Sequence, residues 1–241
     1  MRSIDWLTAQ PIAHRGLHDL NNKCWENTLP AFEAAAQAGF TIECDVHLTR
    51  DGGVVVFHDD ELDRLANRKG QISELTVTEA TALTIGETQD RIPTLRQMLD
   101  LVAGRVPVVI ELKGVAGRDD GLVAAVAAQL ETYKGLAAIM SFDHRLIRRF
   151  RTDAEGIPAG LTAEGTRMQD LEAHFAMLAH GISFVSYNVH HLPNPFIRFV
   201  RNKLQMPTIS WTVLDREMKK HSDQNVDQIT FEGFDPRTFA A

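Results

Sequence analysis

The sequence has little cysteine, no long apolar segment and no excess of positive charge. Two cysteines, Cys24 and Cys44, occur among 241 residues, which is too few for a disulfide-stapled fold and is typical of a reducing compartment. The longest apolar stretches, such as residues 122–128, are far shorter than the roughly 18–20 residues of a membrane-spanning helix. The net charge of −7 excludes the basic footprint of a general nucleic-acid binder. We therefore expect a cytoplasmic protein without a nucleic-acid partner.

The composition is that of an ordinary globular protein, with 44% hydrophobic and 24% charged residues. The chain contains no repeat, no low-complexity tract and no Gly/Ser-rich linker, so we interpret residues 1–241 as one domain. An anionic ligand bound by a chain of negative net charge needs a local positive field, and a bound metal ion is one way to supply it.

Short runs rich in valine and isoleucine alternate with amphipathic segments, which indicates parallel βα units. Predicted strands cover residues 12–15, 41–46, 54–58, 108–113, 137–142, 158–162, 182–187, 208–213 and 228–231. Predicted helices cover residues 28–38, 94–102, 122–133, 144–151, 168–180, 195–203 and 216–223.

One connection between predicted strands is too short for a parallel crossover. Residues 47–53 join strands 2 and 3 and end in Asp51-Gly52-Gly53, so they predict a hairpin. The other eight strands predict an α/β fold, a (β/α)₈ TIM barrel. Residues 59–91 are then a small helical insertion before strand 4. An open, doubly wound sheet is the alternative architecture.

Charged residues on predicted strands are the main functional signal, because a buried parallel strand is normally a continuous apolar run. Glu43 and Asp45 on strand 2 point to one face, and Glu111 and Lys113 do the same on strand 4. Three carboxylates at a barrel mouth repel one another unless a cation lies between them, and oxygen ligands suit Mg²⁺ or Ca²⁺ better than Zn²⁺. The alternative is a salt-bridge cluster of these carboxylates with Arg15 and Lys113.

Two histidines accompany the carboxylates. His14 lies near the end of strand 1 and His58 at the end of strand 3. Histidine is the side chain that exchanges protons most readily near neutral pH, so the pair indicates general acid–base catalysis. The alternative for each is a buried structural histidine. Arg15 and Lys113 suit a phosphate oxygen, where negative charge builds up in a transition state.

Other residues carry weaker signals. Trp211 on strand 8 is interpreted either as a stacking surface for substrate or as a side chain that fills the barrel. His18 and His47 are interpreted as structural. Residues 195–203 combine apolar and basic side chains, for which we favour a barrel helix with a solvated basic face over contact with an anionic membrane surface. The sequence does not predict the oligomeric state.

Several motifs follow one another in a specific order. They are His14-Arg15-Gly16, Glu26-Asn27-Thr28, Glu43-x-Asp45, His58-Asp59, Ile92-Pro93-Thr94-Leu95, Glu111-x-Lys113 and Ser141-Phe142. Together they resemble the glycerophosphodiester phosphodiesterase family, most strongly over residues 11–145. The resemblance implies a TIM barrel related to phosphatidylinositol-specific phospholipases.

The resemblance also implies roles for individual residues. A Ca²⁺ or Mg²⁺ ion is expected on Glu43, Asp45 and Glu111. His14 and His58 are expected to form the general acid–base pair.

By the same resemblance, Arg15 and Lys113 are expected to hold the phosphate. The implied reaction converts a glycerophosphodiester into sn-glycerol 3-phosphate and an alcohol, through attack of the glycerol 2-hydroxyl and a cyclic phosphate. Three alternatives remain open: a phospholipase C or D acting on lysophospholipids or phospholipids, a non-catalytic phosphodiester-binding domain, and a metal-dependent hydrolase of other substrates.

Two positions depart from the family pattern. Leu214 follows Thr-Val on strand 8, where the family commonly has asparagine. Phe231-Glu232 stands near the end of the last strand, where the family commonly has Thr-Asp. Both departures are expected near the barrel mouth, so they bear on substrate choice.

Overall fold

The computed structural model describes residues 4–239 and contains nine strands and nine α-helices in that range. The strands are β1 (Ile12–Ala13), β2 (Thr41–Leu48), β3 (Val54–Val56), β4 (Val108–Leu112), β5 (Ala137–Ser141), β6 (Ala159–Ala163), β7 (Phe184–Asn188), β8 (Thr208–Val213) and β9 (Gln228–Phe231). The helices are α1 (Leu29–Ala38), α2 (Asp63–Ala66), α3 (Val77–Thr81), α4 (Leu95–Val102), α5 (Leu122–Thr132), α6 (His144–Asp153), α7 (Met168–Met177), α8 (Pro195–Lys203) and α9 (Arg216–Asn225).

Eight of the nine strands close into a parallel barrel. β1 pairs in parallel with both β2 and β9, and the order continues through β4, β5, β6, β7 and β8. Helices lie between successive strands and bury their apolar faces against the outside of the sheet. The prediction of a (β/α)₈ TIM barrel is therefore confirmed.

β3 is the ninth strand, and it forms the predicted hairpin with β2. Val46 lies opposite Val56 and Leu48 opposite Val54, in antiparallel register. β3 is shorter than the sequence predicted, because it ends at Val56. The pairing nevertheless continues for one bond beyond it, since the N–H of Phe57 donates to the carbonyl of Asp45 at 3.0 Å. This bond brings His58 back beside the carboxylates of β2.

The predicted helical insertion over residues 59–91 is also present. It contains α2, α3 and a 3₁₀ turn at Ile72–Glu74. Its apolar side chains pack with Val55 and Phe57 in a small cluster of their own. The insertion therefore covers the hairpin and fixes the position of the chain that follows His58.

Helix starts are set by capping side chains at the carboxyl ends of the strands. The hydroxyl of Thr28 accepts the N–H of Ala31 at the start of α1, and Asp215 accepts the N–H of Met218 at the start of α9. At the opposite end of the barrel, Leu7 packs with Phe184 and other buried residues from the amino ends of the strands. The carboxyl end is thus left as the open mouth.

β1 is only two residues long, although the sequence predicted a strand to residue 15. Arg15 has φ 55° and Gly16 has φ 83°, so the chain turns out of the extended conformation.

Among residues 4–239, no helix is both long and apolar enough to cross a lipid bilayer.

Candidate functional site

One pocket at the carboxyl ends of the strands contains all of the residues that the sequence singled out for chemistry. It leaves about 410 Å³ free of protein atoms and is open to solvent. The eight predicted residues that line it are His14, Arg15, Glu43, Asp45, His58, Glu111, Lys113 and Trp211. The structure therefore brings together residues from five strands and the segments that follow them.

Three buried carboxylates form the acidic centre of the pocket. Glu43 and Asp45 lie on β2, and Asp45 is the register partner of Glu111 on β4. Oxygen atoms of the three side chains lie within 4.8 Å of one another. Burial, together with the charges of Asp45 and Glu111, raises the pKa of Glu43 well above its usual value. Three converging oxygen donors that repel one another fit a hard divalent cation such as Mg²⁺ or Ca²⁺.

Two cationic side chains offset part of this negative charge. Nζ of Lys113 lies 2.8 Å from Oδ1 of Asp45 and also contacts Glu111. Nε of Arg15 lies 3.4 Å from Oδ2 of Asp45. Burial alone would lower the pKa of Lys113, but the two carboxylates outweigh it and raise that pKa. Burial would likewise raise the pKa of Asp45, but Lys113 and Arg15 hold it well below its usual range.

The turn after β1 presents backbone as well as side chain to the pocket. The N–H of Arg15 donates to Oε2 of Glu43 at 2.9 Å. Gly16 permits this turn, because a Cβ at its φ of 83° would lie 2.8 Å from the backbone carbon of Ala31. Asn27 completes the arrangement by donating from its amide to Oδ2 of Asp45 at 2.9 Å.

His14 is held by a carboxylate from the last strand of the barrel. Its Nδ1 lies 2.8 Å from Oε2 of Glu232, which follows β9. Because an ionised carboxylate only accepts, this contact assigns the proton to Nδ1 and leaves Nε2 available to a ligand. Burial lowers the pKa of His14, while the hydrogen bond to Glu232 partly offsets that effect. Burial would raise the pKa of Glu232, but its hydrogen bond to His14 and its contact with His18 hold that pKa well below its usual range.

His58 is held in the same way by the residue next to it. Its Nδ1 lies 2.6 Å from Oδ1 of Asp59. Arg64 from α2 donates to both oxygens of Asp59 at 2.8 Å and to both oxygens of Glu26 at 2.9 Å. Glu26 in turn accepts from Arg15 at 2.6 Å. One chain of charged contacts thus connects His58 to the guanidinium of Arg15.

This network sets the ionisation of its two carboxylates. Burial would raise the pKa of Glu26, but bonds from Arg64, Arg15 and Asn21 lower it to about 2. Burial would also raise the pKa of Asp59, but Arg64 and His58 lower it to about 2. Both groups are therefore ionised at neutral pH.

The other wall of the pocket comes from β5 to β9 and is uncharged. Its lining residues are Met140, Phe142, Thr162, Ser186, Trp211, Thr212 and Thr230. Trp211 and Phe142 make an edge-to-face contact with ring centroids 5.2 Å apart. Phe142 was noted in the sequence only as part of a motif, and here it forms part of the rim.

The sequence analysis missed three contributors to the site. In the sequence, Glu232 stands out only as a departure from the family pattern, Arg64 lies in an insertion without a strong signal, and His18 has the pattern of a structural residue. Nε2 of His18 lies 3.5 Å from Oε2 of Glu232, so it shares that carboxylate with His14. For Glu232 the sequence signal is its departure from the family pattern at the end of the last strand. Nε2–H of His47 donates to the backbone carbonyl of His58 at 3.1 Å, and its structural role stays a prediction.

Comparisons with known proteins agree with this geometry. The model of the glycerophosphoryl diester phosphodiesterase family matches residues 14–235. A glycerophosphodiester phosphodiesterase of Caldanaerobacter subterraneus subsp. tengcongensis is 30% identical over 240 residues, which cover 94% of this chain and 94% of the relative.

Solved structures show the same fold. A phosphodiesterase of Oleispira antarctica, in complex with the product sn-glycerol 3-phosphate, superposes with a TM-score of 0.80 at 23% identity, over 93% of this chain and 92% of that one. A glycerophosphodiester phosphodiesterase of Thermotoga maritima gives a TM-score of 0.71 at 26% identity, over 91% of this chain and 92% of that one.

Proposed function

Because the chain belongs to the glycerophosphoryl diester phosphodiesterase family, we propose that it hydrolyses glycerophosphodiesters to sn-glycerol 3-phosphate and an alcohol. The observation that carries the proposal is the single pocket in which two histidines, three carboxylates and two cations converge. A phosphodiester bound there meets histidines that can transfer protons and cationic side chains that can stabilise negative charge on its oxygens. The product proposed here is the one bound by the Oleispira antarctica phosphodiesterase.

The proposed cofactor is one divalent cation, Mg²⁺ or Ca²⁺, held by Glu43, Asp45 and Glu111. Three observations support this: the side chains are buried, their oxygen atoms lie within 4.8 Å of one another, and the pKa of Glu43 is raised. A bound cation would relieve the repulsion among the three carboxylates. When bound, such an ion polarises a phosphate oxygen and stabilises negative charge that develops on it.

Arg15 and Lys113 are the proposed phosphate-binding residues. Both are already held by acidic partners, Arg15 by Glu26 and Lys113 by Asp45. Their charges are therefore positioned before a ligand arrives, and binding requires little rearrangement. Trp211 is proposed to form the wall against which the substrate packs.

His14 and His58 are the proposed acid–base pair. One takes the proton of the glycerol 2-hydroxyl as that oxygen bonds to phosphorus. The other protonates the alcohol oxygen as its bond to phosphorus breaks. The products of this step are the alcohol and a cyclic phosphate, which water then opens with the two histidines in exchanged roles.

Two carboxylates are proposed to position these histidines. Glu232 fixes the Nδ1 proton of His14, and Asp59 does so for His58. Each Nε2 is then directed away from its carboxylate and free to exchange protons with substrate. Arg64 acts through Asp59, so it is a positioning residue rather than a catalytic one.

We also propose that residues 1–241 form one domain, because the insertion packs its apolar cluster on β3. Cys24 and Cys44 are free thiols, which supports a reducing compartment such as the cytoplasm. The negative net charge supports a small-molecule substrate rather than nucleic acid.

The decisive test is release of sn-glycerol 3-phosphate from glycerophosphocholine in a coupled assay, run with EDTA, with Mg²⁺ and with Ca²⁺. Release that a metal restores supports the reaction and the cofactor together. Release of choline or phosphocholine from lysophosphatidylcholine, with no release from glycerophosphocholine, would assign the chain to the phospholipase alternative. Binding of diesters without turnover of any would refute the enzymatic proposal.

A further inference from the structure

The pocket has one charged wall and one uncharged wall. In the described part of the chain, every ionisable residue that lines it comes from β1 to β4 or the segments that follow them. The wall from β5 to β9 offers only hydroxyl groups, an indole N–H and apolar surface. The two ends of a bound phosphodiester therefore meet different chemistry.

Three polar groups on the uncharged wall have no hydrogen-bond partner among the residues that the structure describes. Thr162 and Ser186 are register partners on β6 and β7, and they are 2% and 1% exposed. Their hydroxyls and the indole N–H of Trp211 make no hydrogen bond to any atom of residues 4–239. A buried polar group without a partner is destabilising, so three on one wall of a ligand pocket indicate that a ligand completes them.

We propose that Thr162, Ser186 and Trp211 form a subsite for an uncharged, hydroxyl-bearing group of the phosphodiester, an inference that rests on the proposed function. The indole N–H of Trp211 can only donate, and a ligand hydroxyl can accept from it. A ligand hydroxyl can also donate to, or accept from, the hydroxyls of Thr162 and Ser186. A primary ammonium group cannot accept at all, and no carboxylate on this wall would pair with it. The subsite therefore favours a polyol over an amino alcohol.

Two parts of a substrate carry this chemistry: the glycerol that all glycerophosphodiesters share, and the alcohol that differs among them. Glycerophosphoglycerol and glycerophosphoethanolamine distinguish the two. If the subsite holds the common glycerol, removing a protein hydroxyl from it lowers the rate of hydrolysis of both substrates equally. If it holds the alcohol, only glycerophosphoglycerol is slowed.

The test compares kcat/KM for both substrates in the wild type, Thr162→Val and Ser186→Ala. Each variant removes one hydroxyl and creates little or no empty volume. We expect kcat/KM for glycerophosphoglycerol to fall about 3–10-fold in each, the range for one hydrogen bond between neutral groups.

Thr41→Val is the matched control. Thr41 is also fully buried, and its hydroxyl has no hydrogen-bond partner within residues 4–239, but it lies at the start of β2, outside the pocket. We expect its kcat/KM values to stay within about 2-fold of the wild type, since no ligand group reaches it. If Thr162→Val and Ser186→Ala also match this control on both substrates, the subsite is refuted.

A binding measurement separates failure of the subsite from failure of the proposed function. Calorimetry of the same four proteins with sn-glycerol 3-phosphate and with inorganic phosphate requires no turnover. A subsite for the glycerol group predicts weaker binding of sn-glycerol 3-phosphate in the two pocket variants and unchanged binding of phosphate. If the wild type hydrolyses no diester, the proposed function fails. In that case, equal affinities of all four proteins for both sn-glycerol 3-phosphate and glycerophosphoglycerol would refute the subsite as well.

Discussion

Replacing Glu232 by glutamine would isolate the effect of its negative charge on His14. The two side chains are joined at 2.8 Å, and they are 22% and 15% exposed, so solvent screens the contact only in part. A hydrogen bond to a charged group of this kind contributes about 1.5–3 kcal/mol, which corresponds to about 10–150-fold. We expect kcat/KM of Glu232→Gln to fall by a factor in that range in the coupled hydrolysis assay.

The pH profile of the same variant gives the sign of the effect. Glu232 partly offsets the lowering of the His14 pKa by burial, so its removal lowers that pKa further. If His14 acts as the base, it must be neutral, and the acidic limb of kcat/KM moves to lower pH. If it acts as the acid, it must be protonated, and the alkaline limb moves to lower pH. In both cases the limb that belongs to His14 shifts in the same direction.

Three further variants make the test specific. Glu232→Asp keeps the charge on a shorter side chain, so we expect partial recovery. Asp235→Asn is the matched control, because Asp235 pairs with Arg237 instead of a histidine, and we expect it to stay within about 2-fold of the wild type. In a His14→Ala background, Glu232→Gln should cause no further loss. A full additional loss in that background would refute positioning of His14 as the role of Glu232.

Four shorter predictions concern the rest of the site. His58→Ala should lower kcat by at least about 100-fold, measured under saturating substrate, and an unchanged rate would remove His58 from the mechanism. Glu43→Gln should raise the Mg²⁺ or Ca²⁺ concentration needed for half-maximal activity after EDTA treatment, whereas an unchanged metal titration would exclude it as a ligand. Arg64→Met should lower kcat more than it changes KM, because Arg64 orients His58 through Asp59, and an effect on KM alone would contradict that role. Glu26 has a folded-state pKa of about 2 against a usual 4.5, so it stabilises the fold above pH 4.5 and loses that contribution as the pH falls towards 2. Glu26→Gln should therefore reduce the loss of unfolding free energy between pH 5 and pH 2.5 by about 2 kcal/mol in urea titrations.

The barrel could be predicted from the sequence because its strands alternate with amphipathic segments, and because the connection after β2 is too short for a crossover. Strand ends were less predictable. The sequence continues β1 to residue 15, whereas the backbone of Arg15 adopts φ 55°. That conformation follows from the contact of its N–H with Glu43 and from the close approach of Gly16 to Ala31. Such contacts form only in the folded barrel, and no local pattern predicts them.

The same distinction explains the site. Glu43, Asp45 and Glu111 were predictable because a charge on a buried strand violates the apolar pattern. The contact of His14 with Glu232 joins residues 218 positions apart, since it forms where the last strand closes on the first. The contact of Arg64 with Glu26 joins residues 38 positions apart, from the insertion to the segment before α1. Neither separation has a repeat or spacing by which a single sequence could predict it.

The two histidines are positioned alike although their carboxylates have unrelated origins. Asp59 is the neighbour of His58 in the chain, whereas Glu232 reaches His14 from the opposite end of the sequence. In both cases the carboxylate fixes Nδ1–H and leaves Nε2 free. A reaction in two steps needs this symmetry, because the group that takes a proton while the cyclic phosphate forms must return one when water opens it. A histidine with a free Nε2 and a fixed Nδ1 proton can do both without turning its ring. The paired carboxylates therefore fit the two-step mechanism proposed above, which a pocket that only binds phosphodiesters would not need.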